Sequence, residues 1–183
     1  MTTLVFDTAS SFGAVCGIAN GRRAWRARAG DLLEAIDELV DDPRTIERIV
    51  VGRGPGSFTS IRIGLAMARS LALSLGVPVA GASTLDAFLD GEPVLDARRG
   101  EVFTRGPSVG RPEDVDAAGR LLVGDGAVRY REIFERAGAT VPPDDHGVHR
   151  PDPLLLIAHA GPFGPAELVE PLYVREPDAK VPA

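Results

Sequence analysis

Cysteine, lysine and aromatic side chains are scarce in this chain of 183 residues, and each shortage excludes something. A single cysteine, Cys16, rules out an internal disulfide framework and fits a reducing compartment. It sits in an apolar run, where a thiol packs as a small hydrophobe. Lys180 is the lone lysine, so nearly all the positive charge is arginine. A formal net charge of −6 argues against an unaided grip on nucleic acid, because phosphate binding draws on clustered cations. No apolar run reaches the roughly 20 residues a membrane span needs. Met1-Thr2-Thr3-Leu4 lacks the basic segment, apolar stretch and cleavage site of a secretory signal. Together these point to a cytoplasmic protein with no membrane partner. What is present is ordinary for a globular chain: 44% hydrophobic and 25% charged residues, enough for one domain or two small ones.

The first half alternates short strands and helices. Thr3 to Asp7 reads as a buried strand, and Phe12 to Ala19 with Arg23 to Arg28 as a hairpin turning at Asn20-Gly21. Asp31 to Val40 carries Leu32, Leu33, Ile36, Leu39 and Val40 at helical spacing, with acids opposite. Ile46 to Gly52 predicts a strand, Phe58 to Leu75 a helix, Val77 to Ala82 a strand, and Ser83-Thr84 the start of a short helix. Pro93 to Asp96 and Glu101 to Arg105 read as strands around Arg98-Arg99-Gly100. Leu121 to Gly124 is another, and Ala127 to Ala137 a helix with Val128, Ile133, Phe134 and Ala137 inward. Val141 to Pro153 reads as a solvated loop containing His146 and His149, and Pro153 to Ala160 as a short helix. This is α/β patterning, with mixed sheets flanked by helices. Most prolines follow Gly91, which sets the expected division at 1–91 and 92–183.

The stretch "GRGPGSFT" at Gly52, Arg53, Gly54, Pro55, Gly56, Ser57, Phe58 and Thr59 invites comparison with phosphate loops. A Walker loop needs Lys-Ser/Thr after its second glycine, and Gly56 is followed by Ser57-Phe58. The dinucleotide fingerprint fails at Ser57, and a nucleophile elbow fails at Pro55 and Thr59. What remains is helix-start chemistry: a tight turn, then Ser57 or Thr59 capping free N–H groups.

The helix that follows has too little polar surface. At 100° per residue, Ile61, Gly64, Leu65, Ala68, Leu71, Ala72 and Leu75 share one broad face, and Arg62 and Arg69 a narrow charged stripe. Ile63, Met67, Ser70 and Ser74 form a second stripe with no charge at all. A solvated helix surface normally carries Glu, Lys or Arg there. Either the helix at Asp31 to Val40 covers that stripe, or another chain does.

The run "GRGPGSFTSIRIGLAMARSLALSLGVPVAGASTLDAF" resembles the signature of the TsaB family. "LVFDTASSFGAVCGIA", "LDARRGEVF" and "EPLYVREPDA" resemble that family's first strand pair, mid-chain motif and C-terminal tail. The resemblance implies an actin-like, sugar-kinase-like (ASKHA) fold of two related lobes, the second shortened here. It implies a non-catalytic scaffold without a cofactor. That scaffold supports a TsaD-type threonylcarbamoyltransferase in N6-threonylcarbamoyladenosine modification of tRNA. A TsaE-type ATPase joins the larger complex, tRNA is met only indirectly, and a homodimer can form through the same face. The interface expected on this reading comprises Leu33, Ile36 and Asp37 of the first helix with Arg62, Ile63, Ala66, Met67, Ser70 and Ser74 of the second. Where members carry His-Ser or His-Thr entering the first helix, this chain has Ala29-Gly30-Asp31.

The alternative is an ATP-binding phosphotransfer or hydrolase enzyme of the same fold. Asp7, ending the first strand, stands where that fold places an acid near a metal. A second acid followed by glycines should approach the phosphates from the other lobe, but Asp96 is followed by Ala97-Arg98-Arg99. No set of three or four ligands with metal spacing is legible.

Overall fold

A computed structural model describes residues 2–175. Strands β1 (Thr3–Asp7), β2 (Ala14–Ile18), β3 (Arg23–Arg26), β4 (Arg48–Gly52) and β5 (Val79–Ala82) form one mixed sheet in the order β3-β2-β1-β4-β5. A second sheet, β8-β7-β6-β9, is built from β6 (Glu92–Arg98), β7 (Glu101–Thr104), β8 (Ser108–Gly110) and β9 (Leu122–Val123). The helices are α1 (Leu32–Leu39), α2 (Phe58–Leu75), α3 (Asp125–Arg129), α4 (Arg131–Arg136) and α5 (Leu155–Ala158).

The alternation of side chains along each strand sorts the core into layers. Leu4, Phe6, Ile49 and Val51 point to one face of the first sheet, where they meet Leu32, Ile36 and Leu39 of α1 and Ile61, Leu65 and Ala72 of α2. Val5 and Val50 point to the other face and share a core with Leu95, Ala97 and Phe103 of the second sheet and Leu156 of α5. Beyond that sheet, Val94, Val102 and Leu122 pack on Ala127 and Phe134 of α3 and α4. The order is thus helices, sheet, shared core, sheet, helices.

Strand directions place α1 and α2 side by side. β2 runs antiparallel to both β1 and β3, and β4 runs parallel to β1. β3 and β4 therefore point the same way, and each hands over to a helix at the same edge. At 1.5 Å per residue, α1 extends about 12 Å and α2 about 27 Å. The lower half of α2 therefore projects past α1. The helix stops at Gly76, whose φ of 69° is the left-handed cap a Cβ would oppose.

Three details depart from the sequence pattern. The helix expected from Ala127 to Ala137 is two short helices broken at Tyr130 (φ −110°, ψ 25°), and Ala137 is exposed rather than inward. Arg131 opens the second of them, bonded to the Val141 and Pro142 carbonyls and to Asp144, and so ties it to the following loop. The loop at 141–153 is not wholly solvated: His149 is 1% exposed. The edge strand β8 is too short to leave a periodic signal.

Candidate docking face and the cleft beside it

The outer face of α1 and α2 is where the expected interface falls, and the structure divides its residues. Leu33 is 48% exposed and Asp37 lies beside it one turn on, open to solvent. Ile36 does not belong to this face. It is buried in the chain's own core, because α1 turns Leu32, Ala35, Ile36 and Leu39 onto β2 and β3. On α2, Ala66, Ser70 and Ser74 are exposed, while Ile63 and Met67 are half-buried. Met67 leans on the core with Leu71 and Leu75. The residue missed by the stripe is Leu73, 87% exposed. Its signal was legible: a leucine among Ser70, Ser74 and Ala66 on the solvent side, with no charge within a turn except Arg69. Arg69 is itself tied to the Val169 carbonyl. By length and composition alone α2 would suffice to cross a membrane, yet one of its faces is the cover of a sheet.

Other charges on this face are already engaged. Arg26 draws Glu38 at 2.8 Å and Glu34 at 3.6 Å across the outside of α1. Arg62 lies 4.0 Å over the Phe58 ring and donates to the Tyr173 hydroxyl at 3.3 Å. The face offers partly covered apolar groups at its upper end and an open leucine at its lower end.

The GRGPGSFT loop is a structural crossing point. Arg53 N–H donates to the Ala82 carbonyl, Thr84 N–H to the Gly54 carbonyl, and Ser57 N–H to the Ala9 carbonyl. Ser57 caps α2 by accepting from Ser60 N–H. Gly54 takes φ 101°, and a Cβ on Gly56 would lie 2.2 Å from the Ala9 carbonyl oxygen. Phe58 and Thr59 open the helix.

Asp7 is not a ligand facing the cleft. It is fully buried beneath this loop, accepting from Ala9 N–H at 2.7 Å and from the Thr84 hydroxyl at 2.6 Å. Burial pushes its carboxyl above the usual range, opposed by those bonds. Its place at the end of the first strand made it resemble a metal acid in sequence; only packing showed both oxygens spent. Burial likewise pushes the Cys16 thiol up to about 12, so it stays protonated and unreactive.

Beside α2 lies a cleft of about 880 Å³ between the two sheets, lined among others by Ser10, Ser11, Phe58, Asp96, Arg99 and Tyr173. Its acids serve the fold. Asp125 accepts from the Ser11 amide and hydroxyl and from Asp96 N–H, which bridges the two sheets, and burial raises its carboxyl. Asp96 is held by Arg98 at 3.1 Å and Arg129 at 3.7 Å. Arg99 and Gly100 take left-handed φ values of 56° and 78°, the geometry of a two-residue hairpin turn, and Arg98 (φ 63°) ends β6 where the pairing register shifts. No group of three or more His, Cys, Asp or Glu with metal-binding geometry occurs among the described residues.

His149 is a strut. Its Nδ1 accepts from Gly124 N–H at 3.1 Å, so Nε2 carries the proton and donates to the Pro142 carbonyl at 3.0 Å. It thereby pins the 141–150 loop to the turn that presents Asp125. His149→Ala strands a buried N–H and opens a cavity, and should cost about 2–4 kcal/mol in urea unfolding. His146 only caps that turn, accepting from Val148 N–H, and His146→Ala should cost less than about 1 kcal/mol.

Residues 22–120 match the family described as "TsaD: tRNA N6-adenosine threonylcarbamoyltransferase". An uncharacterized protein of Mycobacterium tuberculosis is 38% identical over 165 residues, covering 82% of this chain and 74% of its own. The tRNA threonylcarbamoyladenosine biosynthesis protein TsaB of Bacillus subtilis is 39% identical over 84 residues, 39% of this chain and 37% of its own. The chain belongs to the TsaB family. Its fold agrees: a Pseudomonas aeruginosa structure described as similar to peptidase YeaZ superposes with a TM-score of 0.76 at 24% identity, over 95% of this chain and 99% of that one. A second, YeaZ from the same organism, gives 0.72 over 94% and 100%. The TsaB-family chain is therefore an α/β protein of the actin-like ASKHA type.

Proposed function

We infer that this TsaB-family chain takes part in N6-threonylcarbamoyladenosine biosynthesis on tRNA as a non-catalytic subunit. It docks a TsaD-type paralogue through the outer face of α1 and α2. Curated relatives in Bacillus subtilis and Escherichia coli bear the name of that pathway, which supports the setting. A TsaE-type ATPase joins the assembly, tRNA is engaged through the partners, and the work is cytoplasmic. The division at 1–91 and 92–183 assigns the docking face to the first lobe.

The observation that carries the reading is Leu73, 87% exposed on a strip with Ala66, Ser70 and Ser74. Water gains nothing from such a strip, and a partner that buries it gains about 25 cal/mol per Å² of apolar area. A stable interface needs about 800 Å² from each side, more than α2 offers, so Leu33 and Asp37 of α1 belong to it. The spent acids Asp7, Asp96 and Asp125 support a subunit without nucleotide chemistry of its own.

Leu73→Glu and Met67→Arg should each weaken association with the paralogue about 30-fold, equivalent to about 2 kcal/mol, by size exclusion or calorimetry. Leu89→Glu, on another exposed leucine (75%) outside the face, is the control. Undiminished binding by both face variants would refute the assignment. The same face can pair two copies of the chain, and sedimentation of the Leu73→Glu protein alone would then read monomer where the parent reads dimer.

A further inference from the structure

The last described residues run back across the molecule rather than away from it. After a 3₁₀ turn at Ala166–Leu168 packs on α2, Leu172 N–H donates to the Arg53 carbonyl at 2.7 Å. Tyr173 stacks on Phe58, ring centroids 4.9 Å apart, and accepts from Arg62. Arg175 then reaches the second sheet, donating to the Ala97 carbonyl at 3.1 Å and pairing with Glu101. Within four residues the chain touches the glycine loop, the first turn of α2 and the β6–β7 hairpin. All four residues line the 880 Å³ cleft.

These contacts are few and lie at the margin of the fold. Tyr173 is 37% exposed and the others half-buried, whereas the core residues beneath are sealed. The Ser10 hydroxyl, lining the same cleft, is buried without a hydrogen-bond partner. Arg62 links this segment to the docking face: the guanidinium that holds Tyr173 also opens the exposed strip of α2.

We propose that residues 172–175 form a releasable strap across the cleft, coupling the β6–β7 hairpin to the first turn of α2. When Arg175 lets go of the hairpin, Tyr173 loses its hold on Phe58 and Arg62, the cleft mouth opens and the start of α2 loosens. A partner carboxylate that draws Arg62 away from Tyr173 drives the same release from the other side. The two regions communicate through four residues and not through the shared core.

Amide hydrogen exchange on the full chain tests this without any partner. Arg175→Ala touches neither α2 nor the glycine loop. It should raise exchange about tenfold at Leu172 N–H and about fivefold at Ile61 N–H, which is bonded to the Ser57 carbonyl at 2.9 Å. The core amides of β1 and β4 should stay at the parent's rate. Glu101→Ala, cutting the same anchor from the hairpin side, should give the same pattern, and Tyr173→Phe, keeping the ring, should shift Ile61 less than twofold. Exchange confined to residues near 97–101 in both anchor variants would overturn the coupling. So would a uniform rise across β1 and β4, which would make the segment part of the cooperative core.

Discussion

Gly52→Ala should leave little folded protein at 37 °C. A Cβ on Gly52 would lie 1.6 Å from Asp7 Oδ2 and 2.4 Å from its Cγ, far inside contact distance. Asp7 cannot swing aside without giving up Ala9 N–H and the Thr84 hydroxyl, and β4 cannot retreat because it is paired on both sides, to β1 and β5. Overpacking plus lost buried hydrogen bonds should cost about 4 kcal/mol or more, a large part of the stability of a domain this size. Gly30→Ala, where a Cβ meets nothing within 4 Å, should change stability by less than about 1 kcal/mol. Urea midpoints for the two variants decide it. In the double variant with Asp7→Ala the costs should be less than additive, because the carboxylate that causes most of the clash is gone and only the Cβ at 2.8 Å remains. Additive losses would place the strain elsewhere.

Replacing Asp7 separates its shape from its charge. Asp7→Ala strands the Ala9 and Thr84 donors in the core and should cost about 3 kcal/mol. Asp7→Asn keeps an acceptor for Ala9 and removes a buried charge, and should lie within about 1 kcal/mol of the parent at neutral pH. Because burial raises the folded carboxyl above its unfolded value of 3.8, protonation favours the folded state. Asp7 thus contributes stability that is complete below 3.8 and lost as pH rises through the higher folded value. The Asn variant, relative to the parent, should therefore look best near pH 7 and lose that advantage on acidification towards pH 4. Denaturation at the two pH values checks the sign, and an Asn variant as damaged as the Ala variant would mean the charge itself is required.

Much of the first half was legible because its signals are local. The Asn20-Gly21 turn, the short apolar runs of β1 and β4 and the helical period of the 18-residue α2 each need only neighbours in sequence. The second half was read less well for the same reason. β8 has only three residues, and the break at Tyr130 depends on contacts of Arg131 with carbonyls ten and eleven positions away. The stripe of Ile63, Met67, Ser70 and Ser74 was visible in the helical period, and Leu73 lay just outside it. Leu73 falls within the solvent arc, beside Ala66 and Ser70 and away from Leu71 and Leu75, which turn inward. Ile36 was misplaced because an amphipathic helix does not declare which of its apolar residues the parent sheet will claim.

From residue order alone came the α/β alternation, the absence of a lysine-bearing phosphate loop and the uncharged strip on the long helix. Family resemblance added the actin-like fold. Those properties repeat over a few residues, so the chain carries them before it folds. Distance along the chain hid the rest: Asp7 locked under Thr84, 77 residues on, His149 bracing Gly124, and Arg175 anchored at Ala97. Whether a carboxylate is a ligand or a strut depends on what fills the space around its oxygens, and only the packed structure fixes that.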